Sequence, residues 1–266
     1  MEEPEVGGRL GRYVLEEELG RGSMGTVYRA TRDDGAVVAL KLAAPELAAD
    51  EIYRRRFERE GRIAASLSHP HVVEVLEAGE EAGRPFLVSR LVDGRTLAER
   101  IDADGVLPDA EVVRVVSEVA SALDALHERE LLHRDVKPAN VLLAAGGGAA
   151  LADFGLARGA ADTVLTQAGR VSGTVDYLAP EVIRGAPATA ASDVYALGCL
   201  AYECLAGAAP FAGRTVADAI LAHLEVEPSP LASPLSAAVL QALAKDPAAR
   251  PPTATAYALM LRVSLR

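Results

Sequence analysis

Short apolar runs spaced by polar residues fill roughly the first ninety positions: Tyr13-Val14-Leu15, Thr26 to Arg29, Val37 to Leu42, Val72 to Leu76 and Pro85 to Leu91. Runs of this length and composition predict strands. Turn formers separate them, Asp33-Asp34-Gly35 between the second and third and Glu80 to Gly83 before the last. One helix, roughly Asp50 to Leu67, interrupts the series. From there on the apolar residues recur at three- and four-residue steps, as in Glu111 to His127 and Asp193 to Leu205, which is the period of a helix with one buried face. The expectation is an α+β chain with a small strand-rich lobe over residues 1–92 and a larger helical lobe over 93–266. Their joint falls near Arg90 to Gly94. A Gly/Ala loop, Ala144 to Ala150, separates two further strand candidates, and no solenoid repeat is visible.

Charge narrows the partners. The 266 residues carry 27 Lys and Arg against 38 Asp and Glu, a net −11, so a nucleic-acid partner is not expected. The densest basic stretch, Arg54-Arg55-Arg56 with Arg59 and Arg62, is interleaved with acids and reads as a solvated helix face. Only two cysteines occur, Cys199 and Cys204, both in an apolar helical run with no histidine beside them. They are expected to be small buried hydrophobes rather than metal ligands or a disulfide, in a reducing, cytoplasmic setting. The acidic start, Met1-Glu2-Glu3-Pro4-Glu5, lacks the apolar core of a secretory signal, and no apolar stretch is long enough for a membrane segment.

The candidate chemistry begins at Gly20-Arg21-Gly22-Ser23-Met24-Gly25-Thr26-Val27. Glycines let backbone approach a phosphate closely. In a dinucleotide-binding unit a helix would follow such a loop. Here a strand follows, which favours a glycine loop between two antiparallel strands. In Val38-Ala39-Leu40-Lys41, Ala39 and Lys41 share a strand face, and a lysine on an apolar-facing side needs an anion. Glu60 lies on one helix stripe with Phe57, Ala64 and Leu67, whereas Glu58 points away. A buried pair of Lys41 with Glu60 is therefore expected. Further on come His133-Arg134-Asp135-Val136-Lys137-Pro138-Ala139-Asn140 and Asp153-Phe154-Gly155. Two aspartates, an asparagine and a lysine supply what phosphoryl transfer needs: a hydroxyl orienter, oxygen ligands for Mg²⁺ and a cation for the phosphate.

Taken with Gly173 to Glu181, Ser192 to Gly198, Lys245-Asp246-Pro247 and Arg250-Pro251, these motifs resemble those of the eukaryotic-type (Hanks-type) protein kinases, and of their bacterial serine/threonine branch in particular. The resemblance runs from about Leu10 to the last residue. It implies a two-lobed kinase fold and transfer of the γ-phosphate of ATP to Ser and Thr hydroxyls of proteins. It assigns Asp135 to the attacking hydroxyl, Lys137 to the γ-phosphate, Asn140 and Asp153 to Mg²⁺ (with Mn²⁺ as an alternative), Lys41 to the α- and β-phosphates and Glu60 to Lys41. ATP would be held by Gly20, Gly22, Gly25, Val27, Ala39, Lys41, Ser89, Arg90, Val92 and Leu142. Glu181 would pair with Arg250, and Asp193 would brace the catalytic loop. Lys137 and Thr174 carry the serine/threonine specificity.

Arg134 before Asp135 is the pattern of kinases switched by loop phosphorylation, and Thr166, then Thr163, are the expected sites of autophosphorylation. Ser89 stands at the gatekeeper position, where a bulky apolar residue is common, and Arg90 follows where an acid is common. A small gatekeeper implies an open rear pocket. The family resemblance also leaves open a homodimer through the small lobe. Both chain ends lie near the outermost motifs, so no sensor region is expected within these residues. Two rival readings remain: a catalytically silent scaffold, which would be expected to lack Lys41, Asp135 or Asp153, and a small-molecule phosphotransferase, which would lack the Gly173 to Glu181 segment and its Arg250 partner.

Overall fold

Alternation of side chains across a pleated strand builds the first part of the chain. The computed structural model describes residues 5–22, 24–153 and 175–266. These form two units, Met1–Asp93 and Gly94–Arg266. In the first, β1 (Arg9–Leu10), β2 (Tyr13–Gly22), β3 (Gly25–Arg32), β4 (Val37–Ala43), β5 (Val75–Glu81) and β6 (Arg84–Arg90) make one antiparallel sheet in the order β1-β2-β3-β4-β6-β5. Between β4 and β5 lie α1 (Pro45–Ala48) and α2 (Glu51–Ala65). Leu10, Tyr13, Leu15, Tyr28, Ala30, Val38, Leu40, Leu42, Phe86 and Val88 close one core cluster. Asp50 caps α2 by accepting from the Ile52 and Tyr53 N–H groups. The helix buries Tyr53, Phe57, Glu60, Gly61 and Ala64. Gly61 is where it comes nearest the sheet, since a Cβ there would lie 2.6 Å from that of Ala78 on β5.

Two strand expectations shift. β2 does not end at Leu15 but continues through Gly22, paired with β3 across two register shifts. Its outer half, Glu16 to Gly22, is exposed, so no apolar alternation marks it. The expected strand at Val72 to Leu76 lies instead at Val75–Glu81. Val72 and Val73 are buried at 3% and 4% exposure but precede the ladder, because an apolar run reports burial and not hydrogen bonding.

In the second unit, β7 (Gly94–Thr96), β8 (Val141–Ala144) and β9 (Ala149–Leu151) form a small antiparallel sheet. The helices are α3 (Leu97–Asp104), α4 (Asp109–His127), α5 (Pro180–Ile183), α6 (Ala190–Ala206), α7 (Val216–Glu225), α8 (Ser236–Ala242) and α9 (Ala254–Ser264). Helix α6 is apolar nearly all round and twelve of its residues are buried, the composition of a helix at the centre of a bundle. It packs against α4, α8 and α9. Cys199 and Cys204 on α6 are buried free thiols, each pushed up by burial. Among the described residues no helix is long and apolar enough to cross a membrane.

Candidate active site

Within the first unit, β4 carries Lys41 opposite Val27 on β3 and Leu87 on β6. Val38, Leu40 and Leu42 point into the core, so Ala39 and Lys41 share the other face. That face is half-buried, which corrects the expectation of a buried lysine: strand alternation gives the deep positions to the three apolar neighbours. Glu60 is buried at 4% exposure on the inward stripe of α2. Glu58 is exposed and paired with Arg62 at 2.8 Å. Gly25 has φ +138°, and a Cβ there would lie 2.0 Å from the Leu42 carbonyl oxygen, so the turn out of the glycine loop excludes side chains. Gly20 and Gly22 are exposed, Val27 is half-buried, and Ala39 pairs with Ser89. Ser89 and Val92 are half-buried and Arg90 is exposed.

The second unit assembles the catalytic loop on α6. Asp193, in the first turn of that helix and 2% exposed, accepts from the His133 N–H (3.0 Å), the Arg134 N–H (2.9 Å) and the ring of His127 (2.8 Å). Three donors offset the cost of taking a carboxylate out of water. His133 is wholly buried, and burial lowers its pKa, so the ring is neutral. Its Nδ1 accepts from the Asp135 N–H at 3.3 Å, and its Nε2–H donates to the Ala152 carbonyl at 3.0 Å. One imidazole thereby ties the loop at Asp135 to the residue before Asp153.

Asp135 is fixed from two sides. The Asn140 amide donates to its carbonyl at 2.7 Å and to its Oδ2 at 2.9 Å, and the Lys137 ammonium lies 2.9 Å from the same Oδ2. Donating through Nδ2 leaves the Asn140 Oδ1 as an oxygen donor. That oxygen and the Asp153 carboxylate are hard donors of the kind Mg²⁺ or Mn²⁺ prefers. The Ala152 N–H donates to the Asn140 carbonyl at 2.8 Å, joining the two candidate ligand segments. Arg134 and Asp153 both adopt left-handed backbone, φ 62° and 63°. Non-glycine residues hold such conformations only where their surroundings over-determine them, which is common at functional sites. Leu142 is half-buried on β8, opposite Thr96 and Ala150.

The Glu181–Arg250 pair forms as a bidentate fork, Nη1 to Oε1 at 2.8 Å and Nη2 to Oε2 at 2.7 Å. Arg250 also donates to the carbonyls of Ala191 (2.8 Å), Ala244 (2.8 Å) and Lys245 (3.3 Å) and lies over the Tyr195 ring. Burial pushes the Glu181 pKa up, yet the hydrogen bonds from Arg250 and Ser192 outweigh it and leave the carboxyl below its usual range. The sequence motifs did not single out His127, and they gave Ser192, which opens one of them, no role beside Glu181. Their signals were the last turn of α4 and the first turn of α6. Thr163, Thr166 and Thr174 lie outside the described residues.

A glycine turn after a strand, a lysine strand in the sheet against whose β5 and β6 a helix with a buried acid packs, and an aspartate held by lysine and asparagine define a phosphotransferase of the protein kinase class. The family model described as "Protein kinase domain" matches residues 13–258, and the chain belongs to that family. Among curated relatives, serine/threonine-protein kinase PknD of Mycobacterium tuberculosis is 41% identical over 257 residues, 93% of this chain and 39% of that protein. PknB of Mycobacterium leprae is 40% identical over 260 residues, covering 91% and 41%. The chain thus spans about two fifths of the length of these relatives. A crystal structure of the M. tuberculosis PknI kinase domain superposes with TM-score 0.81 at 33% identity, covering 99% of each chain.

Proposed function

We propose that this chain transfers the γ-phosphate of ATP to serine and threonine hydroxyls of proteins, its own activation loop included. The observation that carries the reading is the double hold on Asp135 by Asn140 and Lys137. A carboxylate fixed in this way can orient an incoming hydroxyl and take its proton, while the adjacent ammonium meets negative charge on the transferring phosphoryl group. Bound Mg²⁺ or Mn²⁺ would neutralise the triphosphate, and Asn140 and Asp153 are the residues to hold it. Lys41, with Glu60 behind it, would contact the α- and β-phosphates. Gly20, Gly22, Gly25, Val27, Ala39, Ser89, Arg90, Val92 and Leu142 would complete the ATP contacts.

Arg134 would pair with phosphate on Thr166 or Thr163 and so order the loop. Thr174 would bond Asp135 and Lys137. The chain would act in the cytoplasm on protein substrates, without a nucleic-acid partner, and could pair with a second copy through its first unit. The test is transfer of labelled γ-phosphate to a generic protein substrate and, in parallel, to aminoglycosides, with and without chelation of the divalent cation. Label on protein Ser and Thr that vanishes with chelator supports the reading. ATP binding without transfer would replace it with a scaffold role.

A further inference from the structure

The first unit buries a guanidinium without a counter-charge. Arg84 opens β6 and is 3% exposed. Its Nε (3.2 Å) and Nη2 (2.7 Å) both donate to one acceptor, the Ala43 carbonyl at the end of β4. Its Nη1 is buried and has no hydrogen-bond partner among the described residues. Taking a guanidinium out of water costs free energy that a single carbonyl repays only in part, so packing alone does not account for an arginine here.

The residue beside it explains the geometry. In the β4–β6 ladder Leu42 stands opposite Phe86, so the next pair in register is Ala43 and Pro85. The Arg90 N–H points away from β4, to the Glu74 carbonyl just ahead of β5. Backbone groups alternate sides along an antiparallel strand, so those of residues 89, 87 and 85 face β4. A ladder bond to the Ala43 carbonyl would therefore come from residue 85, and proline has no N–H to give. The Arg84 guanidinium occupies that acceptor instead.

The same stretch of β4 carries the base of the glycine loop. On its other flank Ala43 stands opposite Gly25, and Lys41 opposite Val27. The Ala44 N–H donates to the Met24 carbonyl at 3.1 Å. Gly25 lies against the backbone of Leu42 and Ala43 with no room for a side chain. Contacts this close leave no slack, so a displacement of residues 42–44 is passed to the loop.

We propose that Arg84 is a positioning residue for the nucleotide: its guanidinium replaces the ladder donor that Pro85 lacks, pins β4 at Ala43, and so sets the glycine loop and Lys41. This rests on the kinase reading above, in which Gly20, Gly22, Gly25 and Lys41 meet ATP. Loss of Arg84 should therefore weaken ATP binding selectively.

The test is steady-state kinetics on the whole chain, varying ATP and protein substrate separately, for Arg84→Met, Arg84→Lys, and Arg84→Met combined with Pro85→Ala. Arg84→Met is expected to raise KM for ATP about tenfold, the size of one buried charged hydrogen bond lost. KM for the protein substrate should stay within about twofold. Lysine keeps one donor, and alanine at position 85 restores the ladder N–H, so each should recover part of the loss. An equal change in both KM values, no change in either, or no recovery in both rescue variants would overturn the proposal. If Arg84→Met does not fold, Arg84→Lys and the double variant, each compared with native protein, decide it by the same split between the two KM values. Native protein that shows no Asp135-dependent transfer would instead defeat the underlying kinase reading.

Discussion

Replacing Arg250 with leucine tests how the second unit is held together. Its side chain is wholly buried, and that of Glu181 is 13% exposed. The substitution strands a buried carboxylate and leaves the carbonyls of Ala191, Ala244 and Lys245 without their donor. Breaking a buried pair from one side costs about 3–5 kcal/mol, which for a domain of this size lowers Tm by roughly 6–20 °C. Removing both charges, as in Arg250→Met with Glu181→Leu, should recover at least ~2 kcal/mol, because the desolvation penalty disappears with the pair.

The effect carries a pH signature. The folded-state pKa of Glu181 is depressed, so its contribution is full above the ordinary carboxylate range and is lost as pH falls through the folded value. The gap between native and Arg250→Leu should therefore narrow below about pH 4. Urea unfolding followed by far-UV circular dichroism suits this chain, which has no tryptophan. A single variant costing less than ~1 kcal/mol, or a double variant no better than the single, would refute the accounting.

Three further outcomes are expected. Asp193→Ala removes the acceptor for two catalytic-loop N–H groups and for His127, so steady-state kcat should fall about a hundredfold with KM for ATP little changed, since small misplacements of reacting groups cost that much. Ser89→Met should weaken inhibition by bulky purine mimics at least about tenfold; unchanged inhibition would show that Ser89 is not the gatekeeper. Phosphosite mapping after incubation with ATP should find Thr166 as the main site and Thr163 second, and mass spectra with neither modified would count against loop activation.

What the sequence made legible was set by period and by motif. The 3.6-residue period placed Glu60, rather than Glu58, on the inward face of α2, and the structure buries the one and exposes the other. The run from His133 to Asn140 was readable because few other tasks need that set of groups at that spacing. Burial depth at Lys41 was not legible, since both faces of β4 carry residues compatible with a core. The outer half of β2 was hidden for the opposite reason: exposed polar strand looks like loop until its partner is known. Left-handed backbone at Arg134 and Asp153 leaves no trace in residue type. The role of His127 depends on a contact from a residue 66 positions away, which no local pattern encodes.

The central claim is that Asp135 directs phosphoryl transfer to protein hydroxyls. The most direct measurement compares native protein with Asp135→Asn for transfer of labelled γ-phosphate, after nucleotide titration has shown that both bind ATP equally. Incorporation into Ser and Thr by the native chain, reduced at least about a thousandfold in the variant, is the predicted result. Equal incorporation by both proteins would contradict the account, as would none by the native chain with ATP bound.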